Sequence, residues 1–210
     1  GNATAGGIIG YNSGPTTITN CSTSGSIEGK DGAIAGGVAG WGAGLHADMI
    51  RSSMLLSAGS GGYILGGIFG YQAGWDISSS VTDCFYSGTI IGATSSDAQH
   101  CLGGIVGNAA SSTSCNISVT NCLVNGILAS SYGSQVGAFI GNTGQNASIT
   151  NSYSTTNNTI VCGGTVGSAT LTSSGNYVKQ SVSQIYSRAN SNWSKSKWVI
   201  SSSSTLPSLK

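Results

Sequence analysis

The chain has 210 residues, a net charge of +1 and charged side chains at only 6% of its positions. Ordinary globular domains are charged at roughly 25% of positions, so there is no basic field here to attract nucleic acid. Glycine occurs 34 times but proline only twice, which excludes collagen. No run of about 18 apolar residues is present, and we therefore expect neither a nucleic-acid partner nor membrane insertion.

A glycine-rich box recurs along the chain and defines a repeat of about 30 residues. Each copy reads Gly-Gly-apolar-apolar-Gly or a close variant. The copies begin at Gly6, Gly36, Gly66, Gly103, Gly137 and Gly163. A second box, with the pattern Ile/Val-Thr-Asn/Asp-Cys/Ser, begins at Ile18, Val81, Val119 and Ile149, and a degenerate copy begins at Ile50. A third short apolar stretch follows, as at residues 25–29.

The three stretches of each repeat are too short for helices, and their β-branched residues favour strands. Three strands and three turns describe one coil of a parallel β-helix, in which each strand pairs with its copy in the next coil. We predict an all-β fold, a parallel β-solenoid of about five to six coils with three short strands per coil. Residues 1–178 form the repeats, and residues 179–210 form a C-terminal closing segment.

The third and fourth residues of each glycine box are both mostly apolar, as in Ile68 and Phe69. Adjacent residues of a strand face opposite sides of a sheet. The pattern therefore predicts apolar ladders on both faces of this sheet. One face fills the solenoid, and the other meets a loop, the C-terminal segment or another molecule.

The residue after the glycine box is aromatic in the first three repeats, namely Tyr11, Trp41 and Tyr71. In register, these side chains stack as an aromatic ladder. A ladder that faces inward is core packing, whereas one that faces outward is a strip suited to a sugar or a neighbouring subunit.

The C-terminal segment departs from the repeats and is comparatively basic. We predict a short helix around residues 182–188. Solenoids need covered ends because an open coil presents unpaired strand edges. Trp193 and Trp198 are accordingly predicted to cap the last coil.

Six cysteines and six N-glycosylation sequons indicate an oxidising, extracellular compartment. The sequon asparagines are Asn2, Asn20, Asn116, Asn146, Asn157 and Asn192. Cys84 and Cys122 occupy equivalent positions in adjacent coils, so they are candidates for a disulfide or for buried free thiols. Cys101 and Cys115 flank one glycine box and form a second candidate pair. No Cys-x-x-Cys motif is present, and we expect no metal and no cofactor.

The acidic residues are few and scattered, which argues against an enzyme. Glycoside hydrolysis needs two carboxylates facing one cleft. Asp83 occupies the position of Asn20 and Asn121 in other repeats and is interpreted as a turn residue. Asp48 beside His46 is the nearest approach to an acid–base pair, but no nucleophile accompanies it. We therefore predict no catalytic residues.

The glycine boxes and the Ile/Val-Thr-Asn-Cys boxes resemble the GLUG-motif repeats of bacterial and protist surface proteins. The resemblance covers about residues 6–170, and the Trp-containing tail is similar to the segment that often follows such repeats. It implies an extracellular repeat domain with no activity of its own.

The sequence as a whole predicts a non-enzymatic, secreted structural glycoprotein at the cell surface. Its solenoids self-associate into a fibre, filament or layer, so that the main partners are copies of the chain itself. The alternative is an adhesin module that binds a glycan or another cell. Ice binding and a polysaccharide-active enzyme rank lower. Ice binding is disfavoured because the Thr residues do not fall into the regular ladders that an ice-binding face would need.

Overall fold

A computed structural model gives the fold of this chain. The structure describes residues 3–30, 32–59, 61, 63–73, 76–92, 100–109, 115–129, 135–144, 146–155, 160–164 and 170–210. These residues form short parallel strands, one helix and one small antiparallel pair. No helix in the described ranges is both long enough and apolar enough to cross a bilayer.

Five parallel sheets run along the molecule, and we number them in the order in which the chain visits them. Sheet 1 contains Thr4–Gly6, Ile34–Gly36, Tyr63–Gly66, His100–Gly103 and Gln135–Gly137. Sheet 2 contains Ile9–Asn12, Ala39–Gly42, Phe69–Gln72, Val106–Ala109 and Ile140–Thr143. Sheet 3 contains Thr16–Thr19, Leu45–Asp48, Ser79–Thr82, Asn116–Thr120, Asn146–Thr150 and Leu171–Ser174. Sheet 4 contains Ser22–Thr23, Arg51–Ser52, Phe85–Tyr86, Leu123–Val124 and Tyr153–Ser154. Sheet 5 contains Ser26–Gly29, Leu55–Ala58, Thr89–Ile91 and Ile127–Ala129.

The predicted parallel β-solenoid is confirmed. Five coils are stacked in register, and a partial sixth adds Leu171–Ser174 and a bridge between Tyr153 and Tyr177. Each glycine box lies directly opposite the next, as in the pairing of Gly36 with Gly66 and of Gly66 with Gly103. The repeat seen in the sequence is therefore the unit that pairs in space.

The prediction of three strands per coil was wrong, because two of the three stretches bend in the middle and give five strands. The glycine box folds so tightly that a Cβ on Gly36 would lie 1.9 Å from the carbonyl oxygen of Ala39. The second box turns at one residue with a left-handed backbone, such as Asn20 or Asn121. The first bend separates sheets 1 and 2, and the second separates sheets 3 and 4.

Both apolar ladders of the glycine box lie in the core, which corrects the prediction that one of them faces outward. The third box residue lies in the bend between two strands, so strand alternation does not apply to it. From the second coil onward, the box residues of both ladders have no exposed surface. They are Val38, Ile68, Ile105 and Phe139 in one ladder, and Ala39, Phe69, Val106 and Ile140 in the other.

The C-terminal residues 181–210, which we call the strap, lie along the side of the solenoid. Helix α1 spans Val182–Asn192, four residues longer than predicted. Ser181 caps it, since its hydroxyl accepts from the Gln184 backbone N–H while the Gln184 side chain accepts from the Ser181 N–H. A two-stranded antiparallel pair, Trp198–Val199 with Ser208–Leu209, follows. The predicted boundary between residues 178 and 179 stays a prediction.

Trp193 and Trp198 were predicted to cap the last coil, and they do not. They pack with Leu123 and Tyr153 of sheet 4 in a separate hydrophobic cluster. Trp193 stacks on Tyr153 at 5.0 Å between ring centroids and contacts Trp198 at 4.3 Å. The strap therefore covers the outer face of sheet 4 across several coils rather than the end of the solenoid.

Candidate functional site

Two carboxylates and one lysine join the strap to the corner between sheets 3 and 4. Lys197 Nζ donates to both Asp48 carboxylate oxygens, at 2.8 and 3.0 Å, and to Asp83 Oδ2 at 2.9 Å. Trp198 Nε1 donates to Asp83 Oδ1 at 2.9 Å. Hydrogen bonds from Lys197 to Asp48, ahead of those to Asp83, raise the pKa of the lysine against the opposing effect of desolvation. Both carboxylates thus serve as anchors for the strap.

The predicted proximity of His46 and Asp48 does not produce an acid–base pair. His46 Nδ1 forms a 2.8 Å hydrogen bond with Ser80 Oγ in the next coil, while Asp48 is bound by Lys197. Asp83 is a turn residue, as its sequence position indicated, with a φ of 49°. Its second role, holding Lys197 and Trp198, had no signal in the repeat, because the strap lies outside the repeats.

The cysteines are free thiols, and burial makes those with shifted pKa values poor nucleophiles. Desolvation raises the pKa of Cys101 to about 12. Desolvation and a hydrogen bond to Cys122 raise the pKa of Cys84 well above its ordinary value. Cys84 and Cys122 thus meet in adjacent coils, whereas the neighbouring thiol that affects Cys101 is Cys162. The structure thus has free thiols at both predicted disulfide pairs, Cys84–Cys122 and Cys101–Cys115. For Cys84 and Cys122 these are the buried free thiols that the sequence left open.

The predicted aromatic ladder exists and lies outside the core. Tyr11 and Trp41 stack with 4.5 Å between ring centroids, and Trp41 and Tyr71 with 6.2 Å. Tyr11 is 58% exposed, and the other two rings are half-buried. Because the rings stack along the solenoid, the neighbouring faces of the ladder cover one another. The ladder therefore presents mainly ring edges, which suit a sugar less well than a flat ring face.

The outer face of sheet 3 carries two columns of hydroxyl side chains, which we call the hydroxyl face. The first column is Thr17, His46, Ser80, Ser118, Ser148 and Thr172. The second is Thr19, Asp48, Thr82, Thr120, Thr150 and Ser174. Only His46 and Asp48 interrupt the columns. Thr82, Thr120 and Thr150 thus form a ladder in the second column, so the expectation that the Thr residues form no regular ladder was wrong.

A shallow depression borders the first column over the last coils. It is lined by Asn116, Ile117, Ser118, Asn146, Ala147, Ser148, Thr170 and Thr172. The Thr170 backbone N–H donates to Asn146 Oδ1 at 3.1 Å, and the Asn116 backbone N–H donates to Ser78 Oγ at 3.1 Å. These side chains extend the polar surface beyond the two columns.

The outer face of sheet 5 differs, because it exposes large apolar side chains. Leu55, Ile91 and Ile127 are 39%, 43% and 62% exposed. Leu55 and Ile127 share one column, since each pairs in register with Thr89 between them. We call these three residues the apolar patch, and it spans three successive coils on the side of the solenoid.

Four of the sequon asparagines fall within the described residues, and Asn2 and Asn157 lie outside them. Asn20, Asn116 and Asn192 are exposed, and Asn146 is half-exposed. Asn192 Nδ2 donates to the Tyr153 hydroxyl at 2.9 Å. Glycosylation of these residues stays a prediction. Across the described ranges, no group of three or more His, Cys, Asp or Glu side chains is arranged to hold a metal ion.

Comparison with known families supports the resemblance seen in the boxes. The family model of the GLUG motif matches residues 1–28. The chain carries a GLUG motif. This motif is found in extracellular and surface proteins with β-helical structure. Comparisons with curated proteins and with solved structures gave no match.

Proposed function

We propose that this GLUG-motif chain is an extracellular structural protein whose solenoids associate side by side into a surface fibre or layer. The observation that carries the proposal is the apolar patch. Leu55, Ile91 and Ile127 lie on the flank of the solenoid, where stacking of further coils does not bury them. Exposed apolar side chains that line up over several coils are typical of an interface.

The composition of the chain favours a second copy of itself as the partner. With only 6% charged residues, a neighbouring solenoid presents little charge that burial of the patch would have to desolvate. A two-fold interface places the same patch on both sides, so Leu55 of one copy faces the patch of the other. A two-fold contact closes on itself, so extension of the pair into an array requires a second contact between pairs.

The test is the assembly state of the purified chain and of Ile127→Lys. We expect the unchanged chain to form dimers or larger assemblies in light scattering, and fibres or sheets under the electron microscope. A lysine within the apolar patch is buried in the interface without a partner, so Ile127→Lys stays monomeric. Ser203→Lys, in an exposed turn of the strap, is the control and assembles normally. A monomeric unchanged chain contradicts the proposal.

The alternative is an adhesin module, and the aromatic ladder is the observation that favours it. Tyr11 offers the most exposed ring of the ladder to a carbohydrate. Binding to a glycan array that disappears in Tyr11→Ala, in a chain that does not assemble, would support the adhesin instead.

A further inference from the structure

The hydroxyl face is a two-dimensional array with regular spacing. Neighbouring strands of a sheet lie about 4.8 Å apart, and alternate residues along a strand about 6.6 Å apart. Six strands in register repeat these two spacings over about 24 Å along the solenoid. Ten of the twelve side chains in the two columns are Ser or Thr, as the strand pairings show.

The hydroxyls of this array belong to partly exposed residues. Those of Thr82, Ser118, Thr120, Ser148 and Thr150 form no side-chain hydrogen bond within the part of the chain that the structure describes. Each hydroxyl donates one hydrogen bond and accepts two. Directly beneath them, Val81, Val119 and Ile149 are fully buried, so the strands that carry the hydroxyls rest on a packed core.

Charge is nearly absent from the hydroxyl face. Asp48 is its only carboxylate, and the strap neutralises it through Lys197. Isolated charges bind and orient their own hydration shells, which disrupts a regular water layer. An array of hydroxyls that carries little charge and rests on a packed core instead holds first-shell water in the repeat of the strands, and such bridging waters cost little free energy to immobilise.

From this geometry we propose that the hydroxyl face binds ice. Its ligand is the ice lattice, whose water repeat along one axis is close to the spacing of the strands. A layer of water ordered along the two columns joins the hydroxyls to that lattice. This activity is separate from lateral assembly, since it uses sheet 3, whereas the apolar patch lies on sheet 5.

The experiment measures thermal hysteresis and inhibition of ice recrystallisation by the full chain, produced without glycans. We expect that, in a solution of the unchanged chain, ice freezes at a lower temperature than the one at which it melts. Thr120→Lys places a charge in the middle of the second column, and we expect it to lose most of the thermal hysteresis. Thr4→Lys makes the same substitution on a half-exposed strand residue of sheet 1, and it retains the activity.

A variant that adds a hydroxyl to the array should increase the activity. His46→Thr completes the first column, so its thermal hysteresis exceeds that of the unchanged chain. Circular dichroism melts of all variants establish that each is folded. A folded chain without thermal hysteresis overturns the proposal, as does full activity in Thr120→Lys. Retention on an insoluble polysaccharide without any effect on ice also overturns it and identifies a different ligand.

Discussion

One backbone position in each coil turns the chain from sheet 3 to sheet 4, and its residue has a left-handed backbone. Four of the five coils use Asn or Asp there, with φ between 47° and 54°. These residues are Asn20, Asp83, Asn121 and Asn151. Asn and Asp tolerate this conformation because their short polar side chains hydrogen-bond locally. The second coil is the exception, since Met49 has a φ of 55° at the same corner.

Met49→Asn should therefore stabilise the protein. A side chain of ordinary type in the left-handed region costs about 1–2 kcal/mol, and Asn relieves part of that cost. We expect the free energy of unfolding in urea to rise by about 1 kcal/mol. The reverse change at the equivalent corner, Asn121→Met, should lower it by a similar amount. If neither Met49→Asn nor Asn121→Met changed the free energy of unfolding, the corner would carry no strain.

At the scale of elements, the strap is held by packing and by one ionic anchor. Trp193 Nε1 donates to the Asn151 carbonyl at 2.8 Å, and Arg51 donates to the Leu209 carbonyl at 2.7 Å. Arg188 lies over the ring of Tyr177, 3.3 Å from its centroid. The buried Asp83 depends on Lys197 for charge compensation, because only 5% of its side chain is exposed. The strap thus ties coils two to five together along one side.

Lys197→Met tests this anchor. It leaves Asp83 buried without its cation, and we expect a loss of about 1–2 kcal/mol in unfolding free energy, less than for a fully buried pair because Lys197 is partly exposed. The pKa of Lys197 is raised in the folded state, so its contribution is complete below the ordinary lysine pKa and is lost as pH rises through the folded-state value.

The measurement is urea unfolding followed by tryptophan fluorescence at neutral and strongly alkaline pH. The difference between the unchanged chain and Lys197→Met should shrink as pH rises above the ordinary lysine range. Lys195→Met is the control, since Lys195 is exposed and makes no ion pair among the described residues. A difference that persists undiminished after Lys197 has lost its proton would assign the effect to packing alone.

At the scale of the whole molecule, stacking brings together residues that are about 30 positions apart in the chain. Asn116 and Asn146 belong to separate sequons, yet they pair directly across adjacent strands of sheet 3. Strands in a sheet are about 4.8 Å apart, which is too close for a branched glycan on each asparagine. The Asn146 side chain also accepts a hydrogen bond from the Thr170 backbone.

Secreted, folded protein should therefore carry a glycan at Asn116 or at Asn146 but not at both, with Asn116 favoured because it is exposed. Mass spectrometry of intact glycopeptides spanning both sequons is the measurement. Folded molecules with both sites occupied would contradict the stacking. Since both asparagines border the hydroxyl face, a glycan there also blocks ice binding. The Asn116→Gln variant, which removes one sequon and leaves both hydroxyl columns intact, separates the two effects.

The sequence by itself determined the repeat, the parallel pairing of its boxes, the number of coils and the corner role of Asp83. Each box is a local pattern, and identical patterns stack in register because every coil presents the same apolar side chains to the next. These features were readable from residues such as Gly36 and Gly66, which recur at the spacing of one coil.

Only the tertiary structure decided which way particular side chains face and where the strap lies. Ile68 and Phe69 both point into the core because the chain bends between sheets, which strand alternation does not foresee. Lys197 meets Asp48 and Asp83 across more than 110 positions, and no repeat encodes that contact. The hydroxyl face also depends on the tertiary structure. Its columns align only when coils of unequal length are stacked, and contacts between residues far apart in the chain determine that stacking.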